Sequence, residues 1–388
     1  MNPHNPHAAL WSLNPDIDYL NHGSFGACPL AVLQYQAALR TELEREPVDF
    51  LVRSLPARLD DARRRLALFL GAEPQDLAFV ANATMGVNAV LRSLNFTAGD
   101  EILTTSHVYA ACHKTLRYVA ERSGARIVMA PLPFPLDSAE QVVAAVLAAV
   151  TPRTRLALLD HVTSPTALIL PIERLVAELD ARGIDTLVDG AHAPGMVPLT
   201  LTSLGAAYYT GNCHKWLCAP KGAAFLHVRR DRQRDLHPTV ISHGFSGGFH
   251  AEFDWTGTAD PTAFLAVPAA IDYLGSLLPG GWSELMARNR ALALECRAIL
   301  QDSLGVRQAA PAAMIGSIAS VILPPAAPGS MAAKFDRDRV ASWCRERGVE
   351  SWFHDEPLPL MRISAQLYND AGQYRRLAAL LVTLLRGE

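Results

Sequence analysis

Lys215 is the residue whose surroundings most favour chemistry at an amine. It is one of only four lysines among 388 residues, and it follows Tyr208–His214, a segment that is apolar, aromatic and glycine-bearing. A lysine in an apolar pocket has a lowered pKa, so its neutral amine can form a Schiff base with a carbonyl. The alternative is a surface lysine. Lys221, between Pro220 and Gly222, fits that description better.

A carboxylate stands about one strand–helix unit before this lysine. Asp189 ends the apolar run Ile184–Val188 and precedes a glycine-containing turn. A carboxylate at the end of a buried strand is costly unless a cation pairs with it. Pyridoxal enzymes pair an aspartate with the protonated pyridine nitrogen of the cofactor, and Asp189 together with Lys215 suits that chemistry. An ordinary loop aspartate that caps the following turn is the alternative.

Two further strand ends carry groups suited to a planar, phosphorylated ligand. Ala83 and Thr84 open a predicted helix, and a helix N-terminus binds phosphate through its free N–H groups. Thr84 can instead cap that helix. His107 and Tyr109 follow the predicted strand Glu101–Thr104, and an aromatic ring there can stack on a planar cofactor or simply belong to the core.

Arg362 is an arginine inside the apolar run Leu360–Ser364. A buried arginine needs anionic partners, and a bidentate clamp on a carboxylate is its natural use, with a structural ion pair as the alternative.

The sequence motifs of several other enzyme and binding chemistries are absent. The sequence has no GxGxxG after a strand, no P-loop, no GxSxG and no HExxH or other metal-ligand spacing, so no metal site is predicted.

Short apolar runs alternate with helical segments along the first two thirds of the chain. The predicted strands are Leu77–Val80, Glu101–Thr104, Arg126–Ala130, Arg155–Leu159, Ile184–Val188, Ala206–Thr210 and Gly222–Val228. The predicted helices are Pro29–Glu46, Leu55–Leu70, Thr84–Leu94, Ala110–Ser123, Ser138–Val150 and Ile172–Arg182. This alternation predicts an α/β fold with a mostly parallel sheet covered by helices on both faces. Ligands of such sheets bind at the carboxyl ends of the strands, where the polar groups above stand.

The regular alternation of short strands and helices ends after about residue 260. Long helices (Thr262–Leu278 and Trp282–Leu304), short strands (Ser317–Leu323 and Leu360–Ser364) and a final helix (Asp370–Arg386) predict a smaller α+β unit. We therefore divide the chain into an N-terminal arm (1–15), a large domain (16–260) and a small C-terminal domain (261–388).

Composition excludes several classes of protein. Half of the residues are hydrophobic and 19% are charged, which excludes wholesale disorder. A formal net charge of −3 argues against nucleic acid or an anionic membrane as partner. No apolar run approaches the length of a membrane span, and the first basic residue is Arg40, so no signal peptide is expected. The six cysteines include no CxxC pair, so we expect them to be reduced thiols of a cytoplasmic protein.

Taken in order, these clusters resemble the pyridoxal 5′-phosphate enzymes of fold type I, within the class V aminotransferase group and nearest its isopenicillin N epimerase-like branch. The resemblance covers nearly the whole chain. It rests on the segments Tyr19–Gly26, Asn82–Thr84, Thr163–Ala167, Asp189–Gly195, Gly211–Trp216 and Arg362–Asn369.

The resemblance implies roles for particular residues. Lys215 would bind the cofactor covalently and shuttle a proton, Asp189 would pair with the pyridine nitrogen, and His192 would lie beside the ring hydroxyl. Tyr109 would stack on the ring. Phosphate- and other cofactor-binding positions would be Ala83, Thr84, Thr163, Asn212 and His214. Arg362 would clamp the substrate carboxylate, with Ser24 and His22 at the substrate pocket. Thr258 would reach the phosphate of a neighbouring subunit, which implies a homodimer with shared active sites.

The expected reaction occurs at the Cα of an amino acid or an amino-acid-bearing small molecule. Epimerisation is preferred, with β-elimination by a C–S lyase and transamination as alternatives. The segment Val349–Pro359 contains no cysteine, and the nearest, Cys344, lies in a predicted helix, so a persulfide-forming desulfurase is disfavoured. Epimerisation needs an acid opposite Lys215, and His107 or His22 is the candidate. A non-catalytic pyridoxal-binding protein is disfavoured because Lys215, Asp189 and Arg362 are all retained.

Overall fold

The computed structural model describes residues 5–328, 332 and 334–387. Its centre is a seven-stranded sheet of order β2-β8-β7-β6-β5-β3-β4, in which only β8 runs antiparallel to its neighbours. The strands of the chain are β1 (Asp18–Tyr19), β2 (Leu77–Val80), β3 (Glu101–Thr105), β4 (Arg126–Ala130), β5 (Thr154–Asp160), β6 (Asp185–Asp189), β7 (Tyr208–Asn212), β8 (Ala224–Val228), β9 (Ile318–Ile322), β10 (Val349–Glu350), β11 (Trp352–His354) and β12 (Leu360–Ser364).

Helices cover both faces of this sheet, as predicted. They are α1 (His22–Phe25), α2 (Leu30–Arg45), α3 (Leu55–Leu70), α4 (Ala83–Ser93), α5 (Ala110–Ser123), α6 (Ala139–Ala148), α7 (Ile172–Asp180), α8 (Leu201–Leu204), α9 (Phe249–Phe253), α10 (Thr262–Leu265), α11 (Val267–Ser276), α12 (Gly281–Leu304), α13 (Arg337–Glu346) and α14 (Ala371–Arg386). A π-helical turn spans Asp49–Ser54, and short 3₁₀ turns span Ala8–Leu10, Pro74–Asp76, Arg230–Arg232 and Ala312–Met314.

The two faces are built by alternation along the strands. Successive residues of a strand point to opposite faces, so Leu158 joins the core under α4 and α5, whereas Leu159 joins the core under α3, α6 and α7. Both leucines are fully buried. The strands are therefore apolar along their length, and polar side chains collect where the strands end.

A second core is formed by a small sheet of order β11-β12-β9, by α12, which packs on β9 and β12, and by α14, which packs on α12. Strand β1 pairs in parallel with β10, although Asp18 and Tyr19 fall within the predicted large domain. In the predicted arm, the Asn5 amide donates to the carbonyls of Leu367 and Asn369. The domain boundaries themselves stay a prediction.

Most predicted elements lie within two residues of their observed bounds. One prediction is wrong. The helix expected over Thr262–Leu278 is two helices, α10 and α11, because Pro268 lacks the N–H that a continuing helix needs and instead begins α11. Within the described residues no single helix is long and apolar enough to cross a membrane; only the bent pair Thr262–Ser276 and Gly281–Leu304, with 72° between its halves, passes that test jointly.

Candidate active site

A cavity of about 370 Å³ opens at the carboxyl ends of the central strands. Nine of the predicted site residues line it: Ser24, Ala83, Thr84, Tyr109, Asp189, His192, Asn212, His214 and Lys215. The strands β3, β5, β6 and β7 end at this edge, and each delivers its polar group to the same space. The structure thus brings together side chains that are up to 191 residues apart along the chain, between Ser24 and Lys215.

Lys215 lies just past β7 in a tight turn. Its Nζ is 3.2 Å from Nε2 of His192. Burial, and then the charge of Arg362, lower the pKa of Lys215 to about 7, so the neutral amine is accessible near pH 7. The turn is held by a close approach at Gly26, where φ is +70° and a Cβ would lie 2.0 Å from the His214 carbonyl oxygen. Only glycine fits there.

Asp189 ends β6 and is buried. Its Oδ1 accepts from the Ala191 N–H at 3.0 Å, and its Oδ2 accepts from the Cys112 thiol at 3.2 Å. Burial raises the pKa of Asp189, while these donors and the charge of Lys215 act in the opposite sense. A buried carboxylate with neutral donors is well suited to a cationic partner in the cavity.

His192 is buried beside Lys215. Burial, reinforced by the charge of Lys215, lowers the pKa of His192 well below its usual value, so the imidazole is neutral. Its Nδ1 is buried without a hydrogen-bond partner. A buried ring nitrogen without a partner is costly, and a polar ligand atom in the cavity would satisfy it.

The first turn of α4 borders the cavity. Asn82 caps this helix by accepting from the Met85 N–H at 2.9 Å, and the Asn212 side chain accepts from the Ala83 N–H at 2.8 Å. Asn212 thereby fixes the start of α4 to the end of β7. The positive end of an 11-residue helix, with the Thr84 hydroxyl beside it, suits an anion such as phosphate.

Arg362, in β12, is 2% exposed. Its Nη1 donates to the Ser164 carbonyl at 2.7 Å and to the Ser164 hydroxyl at 3.1 Å, and its Nη2 donates to the Ser24 hydroxyl at 2.8 Å. None of the described residues forms an ion pair with it, which removes the structural ion pair as an interpretation. Burial lowers its pKa only to about 10, so its charge stays available to a carboxylate.

A second cavity, of about 980 Å³, adjoins the first. The two share five wall residues: Ser24, Phe25, Tyr109, Ser164 and Lys215. Arg362 and His107 line the second cavity together with the segment Trp352–Pro357. Lys215 therefore stands between a small polar cavity and a larger one whose wall carries a buried guanidinium.

Comparison with known proteins explains this arrangement. The family model for aminotransferase class-V matches residues 34–374. The chain belongs to the class V aminotransferases. It is 37% identical over 391 residues to an isopenicillin N epimerase of Streptomyces clavuligerus and 38% identical over 394 residues to one of Amycolatopsis lactamdurans, with 96% of each chain covered in both cases.

More distant relatives have a different named activity. A putative L-cysteine desulfhydrase of rice is 32% identical, over 92% of this chain and 81% of its own. Among solved structures, a cystine C–S lyase named C-DES superposes with a TM-score of 0.79 at 21% identity, over 95% of this chain and 98% of its own. The cysteine desulfurase CsdA of Escherichia coli superposes with a TM-score of 0.78 at 18% identity, over 97% of each chain. These two confirm the predicted fold.

Enzymes of this family depend on pyridoxal 5′-phosphate, as predicted from the sequence. The residues of this class V chain fit that cofactor. Asp189 is a buried acceptor for a pyridine nitrogen, the unpartnered Nδ1 of His192 suits a ring oxygen, α4 offers an anion site, and Lys215 is a partly neutral amine among them. Tyr109, 40% exposed, stands at the wall where a ring would stack.

Three predicted residues lie elsewhere. His22 is fully buried behind Lys215, with Nδ1 2.8 Å from the Tyr368 hydroxyl and Nε2 3.0 Å from the Lys215 carbonyl oxygen. Both of its ring nitrogens are bonded, burial lowers its pKa to about 3, and it lines neither cavity, so it supports the lysine turn from behind. The Thr163 hydroxyl is engaged by Thr166 at 2.7 Å and by the Leu168 N–H at 2.9 Å.

Thr258 is the third. It is exposed and does not line either cavity of the described chain. The positions of Thr163 and Thr258 leave their cofactor-binding roles as predictions.

Three residues of the site had no predicted role. Cys112 bonds Asp189, Ser164 holds Arg362 in place, and Asp160 lines the small cavity beside Asp189. Asp160 carried a signal, because it ends an apolar strand as Asp189 does. Cys112 and Ser164 carried none, since their contacts join residues 77 and 198 positions apart.

Proposed function

We propose that this protein is a pyridoxal-phosphate-dependent epimerase or racemase that inverts the Cα of an amino acid or an amino-acid-bearing small molecule. The observation that carries the proposal is identity of 37% and 38% to two isopenicillin N epimerases over 96% of every chain compared.

The size of the second cavity supports a bulky substrate. About 980 Å³ adjoins Lys215, far more than the side chain of a free cysteine needs. Aromatic rings of Phe25, Tyr109 and Trp352 contribute to its wall, and Arg362 supplies the buried cation. The cavity therefore suits a long or ring-bearing side chain attached to an amino-acid head whose carboxylate binds Arg362.

Each residue has a definable task. When bound, pyridoxal phosphate withdraws electrons from the Cα, so that the Cα–H bond can break. Asp189 keeps the pyridine nitrogen protonated by offering it a buried negative charge. Lys215, whose amine is near neutrality at pH 7, removes the Cα proton as a general base. Arg362 fixes the carboxylate and thereby the orientation of the Cα–H bond.

Inversion requires a proton donor on the face away from Lys215. Of the two predicted candidates, His107 lines the larger cavity. Its Nδ1 is 2.9 Å from the Thr166 hydroxyl, and its Nε2 is buried without a partner. Burial lowers the pKa of His107 to about 4, so its imidazole is neutral at rest. To act as the acid, His107 would take up a proton from water in the larger cavity at Nε2 and pass that proton to Cα, while Lys215 keeps the proton removed from the other face and later releases it to water. We assign the second proton transfer to His107 on this geometry.

The test is incubation of the purified holoenzyme with L-amino acids and amino-acid-bearing small molecules in D₂O, followed by chiral chromatography and mass spectrometry. Epimerisation predicts the D-configured product with one deuterium at Cα. His107→Ala should abolish inversion while leaving the visible absorbance of the bound cofactor in place. Unchanged inversion in that variant would remove His107 from the mechanism.

A C–S lyase is the second candidate, because relatives named L-cysteine desulfhydrases match at 28% to 32% identity. This activity would release sulfide, pyruvate and ammonia from cysteine, or a thiol, pyruvate and ammonia from a cysteine conjugate, without a D-isomer. A transaminase would release the 2-oxo acid of its substrate without ammonia or sulfide, and only when an amino-group acceptor is added. Either product in place of inversion would reject the epimerase proposal and leave the cofactor assignment standing.

We further propose a cytoplasmic homodimer with shared active sites. Several large apolar side chains are exposed on the single chain, including Phe25, Val240 and Phe245. A cavity of about 420 Å³ is lined by Val240 and by residues on either side of Thr258, whose exposed side chain could reach another subunit. Light scattering should give twice the 42.0 kDa chain mass. The six cysteines are unpaired and buried, which is compatible with a reducing compartment.

A further inference from the structure

A second buried carboxyl lies next to Asp189, and none of the steps above uses it. Asp160 ends β5, Asp189 ends β6, and the two are partner residues across these parallel strands. Partner side chains on neighbouring strands point to the same face of a sheet. Asp160 is 2% exposed and Asp189 is 4% exposed, and both line the small cavity.

The two carboxyl groups have different hydrogen bonds. Asp189 accepts one bond at each oxygen, from the Ala191 N–H and from the Cys112 thiol. Asp160 accepts one longer bond, at 3.3 Å, from the backbone N–H of Tyr109 to its Oδ1. Its Oδ2 is buried without a partner. Asp189 is therefore equipped to carry a negative charge, and Asp160 is not.

The charges around the two carboxyl groups also favour a charged Asp189 and a neutral Asp160. Asp160 and Asp189 are the two acidic residues among the described residues that line this cavity, and Lys215 is its one lysine. Two neighbouring carboxylates in a buried site repel each other, so one retains its proton. The charge of Lys215 favours ionisation of Asp189. Burial, and then the charge of Asp189, raise the pKa of Asp160 well above its usual value.

We propose that Asp160 is a positioning residue held in its neutral, protonated form. Its Oδ1 fixes the backbone of Tyr109 at the start of α5, and with it the ring that forms the cavity wall. Its neutrality leaves Asp189 as the anion that faces the pyridine nitrogen. This inference rests on pyridoxal phosphate binding and is independent of which reaction follows.

The experiment compares two substitutions by titrating pyridoxal phosphate into each apo-protein and recording the visible circular dichroism of the bound cofactor. Asp160→Ala removes the acceptor for the Tyr109 N–H and should weaken binding about tenfold, with an altered dichroism. Asp160→Asn keeps an uncharged acceptor of the same shape and should restore both quantities to within about threefold of wild type.

Asp189→Asn is the control for the cofactor site. It should lose the wild-type absorbance and most of the affinity; wild-type behaviour would mean that the cofactor assignment itself fails. If Asp160→Asn is as weak as Asp160→Ala, the residue acts through a charge and the proposal is overturned. Wild-type affinity and dichroism in Asp160→Ala would overturn the positioning role.

A measurement on wild-type protein covers the case of a variant that does not fold. The infrared spectrum at pH 8 should contain the carbonyl stretch of a protonated carboxyl group. Absence of that band would contradict a neutral Asp160.

Discussion

The small cavity and the large cavity differ in how the chain builds them. The small cavity is made mainly at the ends of the central strands, where Asp160, Asp189 and Asn212 end buried strands and Lys215 follows closely; Ser24, Phe25 and Ser164 complete its wall. The large cavity is assembled from the loop containing α1, the loop after β3, and segments around Arg337, Trp352–Pro357 and Arg362. Binding of the cofactor therefore depends mainly on side chains at strand ends, whereas the choice of substrate depends on loops that meet only in the folded protein.

The largest expected effect is at the amine shared by both cavities. Lys215→Ala should reduce turnover by at least about 10³-fold, because it removes both the cofactor attachment and the general base. Turnover is measured with the epimerisable substrate under saturating cofactor. Lys114→Ala, at an exposed lysine of α5, is the matched control and should keep full activity.

Substitution of Arg362 distinguishes substrate binding in the large cavity from cofactor binding in the small cavity. Arg362→Gln should raise KM for the amino acid by about 10- to 100-fold through loss of a charged contact to carboxylate, with cofactor absorbance unchanged. Arg117→Gln is the control, since Arg117 is exposed, pairs with Glu121 on α5 and lines neither cavity; it should change KM by less than about threefold. Equal effects of the two substitutions would contradict the clamp.

The pH dependence of cofactor attachment tests whether the small cavity lowers the pKa of Lys215. Only the neutral amine attacks the aldehyde, and burial lowers the pKa of Lys215 to about 7. The rate of pyridoxal phosphate incorporation into apo-protein should therefore rise about tenfold per pH unit below 7 and level off above it. Stopped-flow absorbance measures this rate. A rate still rising at pH 9 would mean that the amine keeps an ordinary lysine pKa.

The smallest expected effect is a change in substrate preference at the large cavity. Trp352 is 37% exposed at its wall. Trp352→Ala should lower kcat/KM for a bulky substrate several-fold, through lost apolar contact, and leave that for alanine unchanged. Competition between the two substrates measures the ratio. A proportionate loss for both would place Trp352 in general stability and not in specificity.

Sequence reasoning reached the central sheet and the cofactor site because both depend on short-range patterns. An apolar run followed by a polar residue identifies Asp189, and an aromatic run followed by Lys215 identifies the amine. The same reasoning expected His22 at the substrate pocket, whereas it lies behind Lys215. Its position within a loop does not reveal that the Tyr368 hydroxyl bonds one ring nitrogen and the Lys215 carbonyl the other. The support of Arg362 by Ser164 could not be predicted for the same reason.

The break between α10 and α11 had a local signal that was overlooked. Pro268 stands inside the predicted helix and cannot donate the hydrogen bond that continuity requires. By contrast, the pairing of β1 with β10 joins residues more than 300 positions apart, and two-residue strands have no periodicity to read.

The proposed chemistry at both cavities requires a covalent bond between Lys215 and pyridoxal phosphate. Reduction of the holoenzyme with borohydride, protease digestion and peptide mass spectrometry would locate it. We expect the phosphopyridoxyl group on the peptide that contains Lys215 and loss of that modified peptide in Lys215→Ala. A group on Lys221, or no modified peptide after added pyridoxal phosphate, would contradict the account from Lys215 outward.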